Sequence, residues 1–235
     1  LGLDSGPLND TVPTAAVDTI QELILVNKSI YSLTGIEDFS SLKILNCEIN
    51  GLSSLDLTHN TNLNWLNCQY NSLQGSLDLS NNTSLAYLKA KSNAITSLSI
   101  ASYSIITYFN VQSNQLSAID LSNLISASYC NLSHNQFTSI DASNCISANY
   151  LLVNNNNLTS LNFQNGNNTT VSWFSSTANY NLQCIEVDDP AYSSASNSWN
   201  KDSWSSYSAN CSLAGCTDPL ACNYNPLAFI DDGSC

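Results

Sequence analysis

The stretch Leu63-Asn-Trp65-Leu66-Asn67-Cys68-Gln-Tyr-Asn71-Ser-Leu73 defines a frame, apolar-x-x-apolar-x-apolar-x-x-Asn-x-apolar, that returns through most of the chain. Its asparagine recurs as Asn50, Asn71, Asn93, Asn114, Asn135, Asn156 and Asn179, at intervals of 21 to 23 residues. A fixed period in the twenties marks a solenoid, in which one short unit cannot bury its apolar face alone and stacks on its neighbours. Aligned on the asparagine, eight units begin near Ile20, Leu42, Leu63, Leu85, Ile106, Ala127, Ala148 and Val171. Alternation in Leu66-x-Cys68 has the period of a strand and points both side chains inward. One short strand per coil, all running the same way, gives a parallel sheet with strands about 4.8 Å apart. The expected fold is therefore a repeat solenoid with a parallel sheet on one face, irregular turn segments opposite, and little helix.

The repeated asparagine has a physical task. Where the chain leaves the strand, backbone groups inside the stack lack ladder partners, and a buried amide offers them both donor and acceptor. The first unit carries Lys28 at this place, as suits a terminal coil. Asp56, Asp78, Asp120 and Asp141 form a second column at turns, where carboxylates accept backbone N–H bonds.

Composition narrows the function. The formal charge is -13, with five Lys and Arg together and 10% of residues charged. Nucleic acid is a poor partner, because affinity there comes from cationic contacts to phosphate. No apolar run approaches the roughly 20 residues that cross a bilayer, so direct membrane insertion is not expected. The chain lacks Met and reads as a processed or excised piece of a longer polypeptide. Nine cysteines, four of them in the last 25 residues, point to disulfides and an oxidising compartment. Cys47 and Cys68 share an inward column, where two small apolar core side chains are the simpler reading and a disulfide between adjacent parallel strands is geometrically awkward. Ala127, Cys130, Ala148 and Ser176 replace larger apolar residues, which predicts looser packing in the later coils.

Catalytic patterns are missing from the sequence. His59 and His134 fall in different coils, and there is no H-E-x-x-H pair, G-x-S-x-G elbow or phosphate-cradling glycine loop. The chain is read as non-enzymatic.

The frame resembles a leucine-rich repeat, specifically the short secreted type of Bacteroidetes bacteria. Leu42-Lys-Ile-Leu-Asn-Cys47 and Leu63-Asn-Trp-Leu-Asn-Cys68 are similar to that group's L-x-x-L-x-C segment, and Leu55-Asp56-Leu57, Leu77-Asp78-Leu79 and Ile119-Asp120-Leu121 to its L-D-[LV] segment. The resemblance divides the chain into the remnant of an N-terminal cap (1–19), the solenoid (20–183), a C-terminal cap (184–215) and a short, truncated cysteine module (216–235). It implies a Cys184–Cys211 disulfide in the cap and a Cys216–Cys235 disulfide in the module, and it leaves Cys222 without an assigned partner. Asp218, Asp231 and Asp232 of the module are oxygen donors of a kind Ca²⁺ accepts, without the spacing of a full calcium loop, so no metal or cofactor is assigned. Asp10-Thr11-Val and Asp18-Thr19-Ile resemble the Bacteroidetes O-glycosylation pattern, which makes Thr11 and Thr19 modification candidates. An extracellular place, secreted or on the bacterial surface, follows from the same resemblance.

One outward column stands out. Two residues into the coils it reads Trp65, Tyr87, Tyr108, Tyr129, Tyr150 and Trp173, and the next outward column contains Asn67, Lys89, Asn110 and Asn131. Such a stripe suits an extended ligand, a surface glycan or a protein, since exposed aromatic patches mark interaction sites. It equally suits a ladder of rings that stabilises neighbouring strands. The expected function is adhesion or ligand capture. The alternatives are a spacer or self-assembling block of a larger surface protein, joined to copies of itself or to neighbouring modules, and an accessory region of an enzyme whose catalytic domain lies elsewhere.

Overall fold

The computed structural model describes residues 14–235 apart from Leu213, Leu227, Phe229 and Asp232. Thr11, Asp232 and residues 1–13 of the N-terminal segment therefore lie outside the described residues.

The chain winds into a stack of coils, each adding one short strand to a parallel sheet. In order the strands are Glu22–Ile24, Ile44–Asn46, Trp65–Asn67, Tyr87–Lys89, Tyr108–Asn110, Tyr129–Asn131, Tyr150–Leu152, Trp173–Ser175 and the two-residue Trp199–Asn200. Register is unbroken, with Trp65 beside Tyr87, Tyr87 beside Tyr108, and Tyr108 beside Tyr129. The opposite side carries short parallel pieces. One is a pair, Gln74–Leu79 with Ala94–Ile100, and the other a set of four, Ser139–Asp141, Ser160–Phe163, Cys184–Val187 and Ser206–Ser208.

Between the two sides lies one continuous apolar core. Leu45, Leu66, Leu88, Phe109, Cys130, Leu151 and Phe174 stack in one buried column, and Cys47, Cys68, Ala90, Val111, Leu132 and Val153 in the next. Removing a leucine of this size from water stabilises the fold by about 1.5–3 kcal/mol, and each coil repeats the gain. The later coils are not left loose. Ala127, Cys130, Ala148 and Ser176 are buried, the same coils hold the fully buried Phe137, Phe163 and Phe174, and Phe109 lies in the coil before them. Volume lost at one position is returned at another, which close packing requires.

The asparagine column sits at the exit from the strands. Each amide nitrogen bridges coils: Asn114 Nδ2 donates to Val111 O of its own coil (2.9 Å) and to Ala90 O of the coil before (3.0 Å). Its Oδ1 accepts from the buried Ile95 N–H at 3.1 Å. Asn71, Asn93, Asn135, Asn156 and Asn179 repeat the arrangement toward Leu52, Leu73, Leu116, Phe137 and Leu158. Asn50 accepts from both Lys28 N and Ile30 N. Immediately before each asparagine the backbone turns left-handed, at Ile49, Tyr70, Ser92, Ser113, His134, Asn155 and Ala178, all with φ between 54° and 58°.

The last coil is closed by the segment after 183. There the Asp202 carboxylate takes the place of the backbone carbonyls that a following coil would supply, accepting from Ala178 N and Asn179 N, both at 3.0 Å. Trp199 packs on Phe174 and Phe163, with ring centroids 4.7 and 5.7 Å apart, and Tyr207 meets Trp199 edge-on. Asp189 caps the short helix Pro190–Ala195, while Asp188 accepts from Gly166 N and Asn168 N. Cys184 and Cys211 are disulfide-bonded across 27 residues, and Cys216 and Cys235 are bonded in the tail. Cys47, Cys68, Cys130, Cys145 and Cys222 are free thiols, the first four buried.

Candidate functional site: the outward sheet face

Alternation in each strand sends one residue in and the next out, so the strand frame dictates what the open face displays. Its middle is the aromatic column. Trp65, Tyr87, Tyr108 and Tyr129 stand nearly parallel, at centroid separations of 5.3, 4.3 and 4.5 Å and interplanar angles of 9°, 14° and 2°. These distances follow from the strand spacing, which holds successive rings in contact. Tyr150 breaks the stack, tilted 40° from Tyr129 at 5.8 Å, and Trp173 has no ring neighbour within contact among the described residues. The stripe is thus a four-ring stack that presents its edges, followed by two more open rings, Tyr150 at 39% exposure and Trp173 at 45%.

Lys89 lies in the middle of the stack. Its Nζ sits 5.5 Å from the Tyr87 centroid and 5.8 Å from that of Tyr108. Partial burial works against its charge, but the hydrogen bond and charge of Tyr87, with Tyr108 and Glu48 beyond, hold its pKa above the ordinary lysine value. Lys91 lies over Tyr70, outside the column. Burial raises the Tyr129 pKa.

The amides expected as ligand contacts are placed differently. Asn67, Asn110 and Asn131 are only 3%, 7% and 4% exposed. Their oxygens accept from the backbone two residues on, at Gln69, Gln112 and Ser133. Asn67 Nδ2 donates to Glu48 Oε2, and Asn131 Nδ2 to Gln112 Oε1 and Tyr129 Oη. Neighbouring residues crowd this column, so the amides brace the turn behind the rings, and Lys89 alone of the four reaches solvent appreciably. The accessible polar groups lie one step further on, at Glu48, Gln69, Lys91 and Gln112. Period-2 counting from Trp65 would have reached them, since they continue the same outward set. Gln69 Nε2 also donates to Glu48 Oε2, at 2.6 Å.

Elsewhere the sequence candidates resolve into turns. Asp56, Asp78, Asp120 and Asp141 each accept from the N–H two residues on, at 2.9 to 3.0 Å. The hydroxyls of Thr58 and Ser122, with their N–H groups, and the N–H of Ser80, with its hydroxyl, hold Asp56, Asp120 and Asp78 respectively below the usual carboxylate pKa. Asp218 and Asp231 accept from Leu220 N and Gly233 N in the same way. Among the described residues no three His, Cys, Asp or Glu side chains converge as a metal site would require. Thr19 is exposed. His59 shares a shallow cleft with Glu37 and Asp56, and His134 is exposed on its turn in another coil. A second buried amide column, which period counting on the face does not show, lies on the back: Asn60 donates to Ile36 O and Phe39 O, and Asn82 to Leu57 O and Asn60 O.

No protein-family model matches the chain, and no curated protein matches it in sequence. Solved structures do. The functional domain of InlJ from Listeria monocytogenes, described as including a cysteine ladder, superposes with a TM-score of 0.55 at 25% identity over 75% of this chain. A leucine-rich repeat protein of Leptospira interrogans gives 0.51 at 21% over 75%, and an internalin C2 from Listeria monocytogenes 0.51 at 19% over 84%. The fold is a leucine-rich repeat solenoid. The chain spans about half the length of the first two structures, 50% and 45%, and 84% of the third. In this chain Cys47 and Cys68 stand in one inward column of adjacent coils, unbonded to each other.

Proposed function

We propose that this chain is a non-enzymatic, extracellular binding module that holds a protein partner on its outward sheet face. The observation that carries the reading is the Trp65–Tyr87–Tyr108–Tyr129 stack with Lys89 at its centre. Solenoids of this kind present extended surfaces to partners, and tyrosine and tryptophan are among the residues that dominate protein interfaces. Rings held edge-on lose little conformational entropy on contact and offer hydroxyls beside apolar edges. The two disulfides fit an oxidising, extracellular setting. No helix among the described residues is long and apolar enough to cross a membrane.

The test is capture of immobilised secreted and cell-surface proteins by the wild-type chain and by the Tyr108→Ala/Tyr129→Ala variant. Loss of a partner from the variant, at unchanged secondary structure, supports the reading. A partner held equally by both, together with a lower melting temperature for the variant, would show that the rings serve only the fold.

A further inference from the structure

We propose that Trp173, at the C-terminal end of the face, is a platform for one pyranose ring of a neutral polysaccharide. The proposal rests on the reading of the face as a contact surface and adds to it a ligand of a different class.

A sugar ring binds an aromatic side chain by laying its polarised C–H groups on the electron-rich ring face, so the face itself must be free. Most of the stripe fails this condition. The inner members of the stack, Tyr87 and Tyr108, have a ring against each side at 4.3 to 5.3 Å, leaving no gap for a third ring between them. The N-terminal end is covered too, because Trp65 pairs in register with Ile44. At the other end the column stops. Phe174 pairs with Trp199 and Ser175 with Asn200, which sets Ser198 beside Trp173. A serine has no ring to lay on the indole, no aromatic contact to Trp173 is found among the described residues, and Trp173, at 45%, is the most exposed of the six column residues.

The surroundings match an uncharged, hydroxylated ligand. The residues that sequence and register set next to Trp173 are uncharged: Ser172, whose N–H donates to Asn149 Oδ1, and Ser198 across the last strand pairing, hydrogen-bonded to Ser196. The nearest charges in the cap are engaged: Lys201 Nζ donates to the Ser205 and Asp202 carbonyls, and the Asp202 carboxylate accepts from Ala178 N and Asn179 N. The formal charge of -13 works against an anionic saccharide. By contrast the stacked half of the face carries Glu48, Lys89 and Lys91. The two halves are thus chemically distinct, and the sugar belongs to the neutral one.

The experiment follows the indole N–H resonances of the full chain by NMR during titration with cellohexaose, xylohexaose and, as the acidic counterpart, hexagalacturonate. The expected result is a saturable shift of the Trp173 signal with at least one neutral hexasaccharide, at a Kd on the order of 1 mM. Trp173→Ala should weaken that affinity about ten-fold or more, followed by a carbohydrate-proton signal that does not depend on the indole. Trp173→Phe should keep most of it, and Tyr108→Ala should leave it within about two-fold. No shift at about 10 mM of either neutral sugar, equal affinity for Trp173→Ala, or tighter binding of hexagalacturonate overturns the proposal. If the sugars do nothing while Tyr108→Ala/Tyr129→Ala abolishes protein capture, the platform falls and the protein-binding face stands. If the sugars bind through Trp173 while protein capture ignores the stack, the reverse holds.

Discussion

Replacing Asn114 by alanine probes the feature on which the whole solenoid depends. The variant deletes an acceptor from Ile95 N and donors to Ala90 O, Val111 O and Gln112 O. Those losses are unequal. Ala90 O keeps Asn93 Nδ2 at 3.2 Å, Val111 O keeps Asn135 Nδ2 at 3.0 Å, and Gln112 O keeps Ser92 N at 2.9 Å. Ile95 N–H is the group left buried without its acceptor, at a cost of about 1–3 kcal/mol, and the weakened carbonyls add about 1 kcal/mol. The expected destabilisation is therefore about 2–4 kcal/mol, or a fall in melting temperature of roughly 4–16 °C. Asn179→Ala should cost more, because Ser176 O, at 2.7 Å from Asn179 Nδ2, has no asparagine of a following coil to donate to it as Asn135 donates to Val111 O. Asn114→Asp should be worse than alanine at neutral pH, since it turns a carboxylate oxygen toward Ala90 O and Val111 O. Amide hydrogen exchange supplies the local readout. In Asn114→Ala the Ile95 N–H should exchange at least about ten-fold faster while Leu116 N–H, bonded to Asn135, stays protected. A loss below about 0.5 kcal/mol with Ile95 still protected would refute the assignment of the column as the element that joins coil to coil.

Two further outcomes follow from buried and strained positions. Burial pushes Cys47 and Cys145 up to about 12 and holds Cys68 and Cys130 well above the ordinary thiol, so at pH 8 these four stay as unreactive thiols. Iodoacetamide should modify one thiol of the native protein, Cys222, and five after unfolding without reduction; mass spectrometry showing rapid native labelling of Cys68 would contradict the buried column. Ile49 is half exposed and left-handed at φ 55°, a conformation that penalises a β-branched residue and suits asparagine, which holds the same place at Asn27 and Asn155. Ile49→Asn should stabilise the chain by about 0.5–1 kcal/mol, and a lower melting temperature would show that the Ile49 side chain contributes more by packing than it costs in the backbone.

The coils were legible in the sequence because the asparagine column has no cheap substitute. A side chain of that length must donate to two carbonyls and accept from one N–H at once, so the residue repeats even where Leu gives way to Ala or Cys. The ninth strand was not legible, for the same reason. At the last coil there is no further coil to bridge, the Asp202 carboxylate accepts two N–H groups that backbone carbonyls accept elsewhere, and the asparagine marker is absent. The back amides Asn60 and Asn82 were missed because their column dissolves into Ser104, Leu124 and Cys145, leaving too few members to count. For the face, the sequence gives which residues share a column but not how their rings lie. Strand spacing alone would allow six equivalent platforms or one closed stack, and the geometry gives a stack of four with an opening at one end.

That opening bears on how surface and scaffold divide the work. The coils are joined through inward leucines and the amide column, and neither set touches the outward residues beyond the turn they brace. Ring stacking adds to this scaffold at roughly 0.2–1 kcal/mol per pair, small beside the burial of several apolar side chains in every coil. A chain under selection for stability alone would have little reason to place a cation, Lys89, beside two stacked phenol rings, or to leave a tryptophan 45% exposed beside a serine. Both arrangements sit on the outward face, whose rings contribute less to the fold than the inward core does. Changes confined to that face, such as Lys89→Gln or Trp173→Phe, should therefore move binding without moving the coils, and the two ends of the face should respond to different ligands.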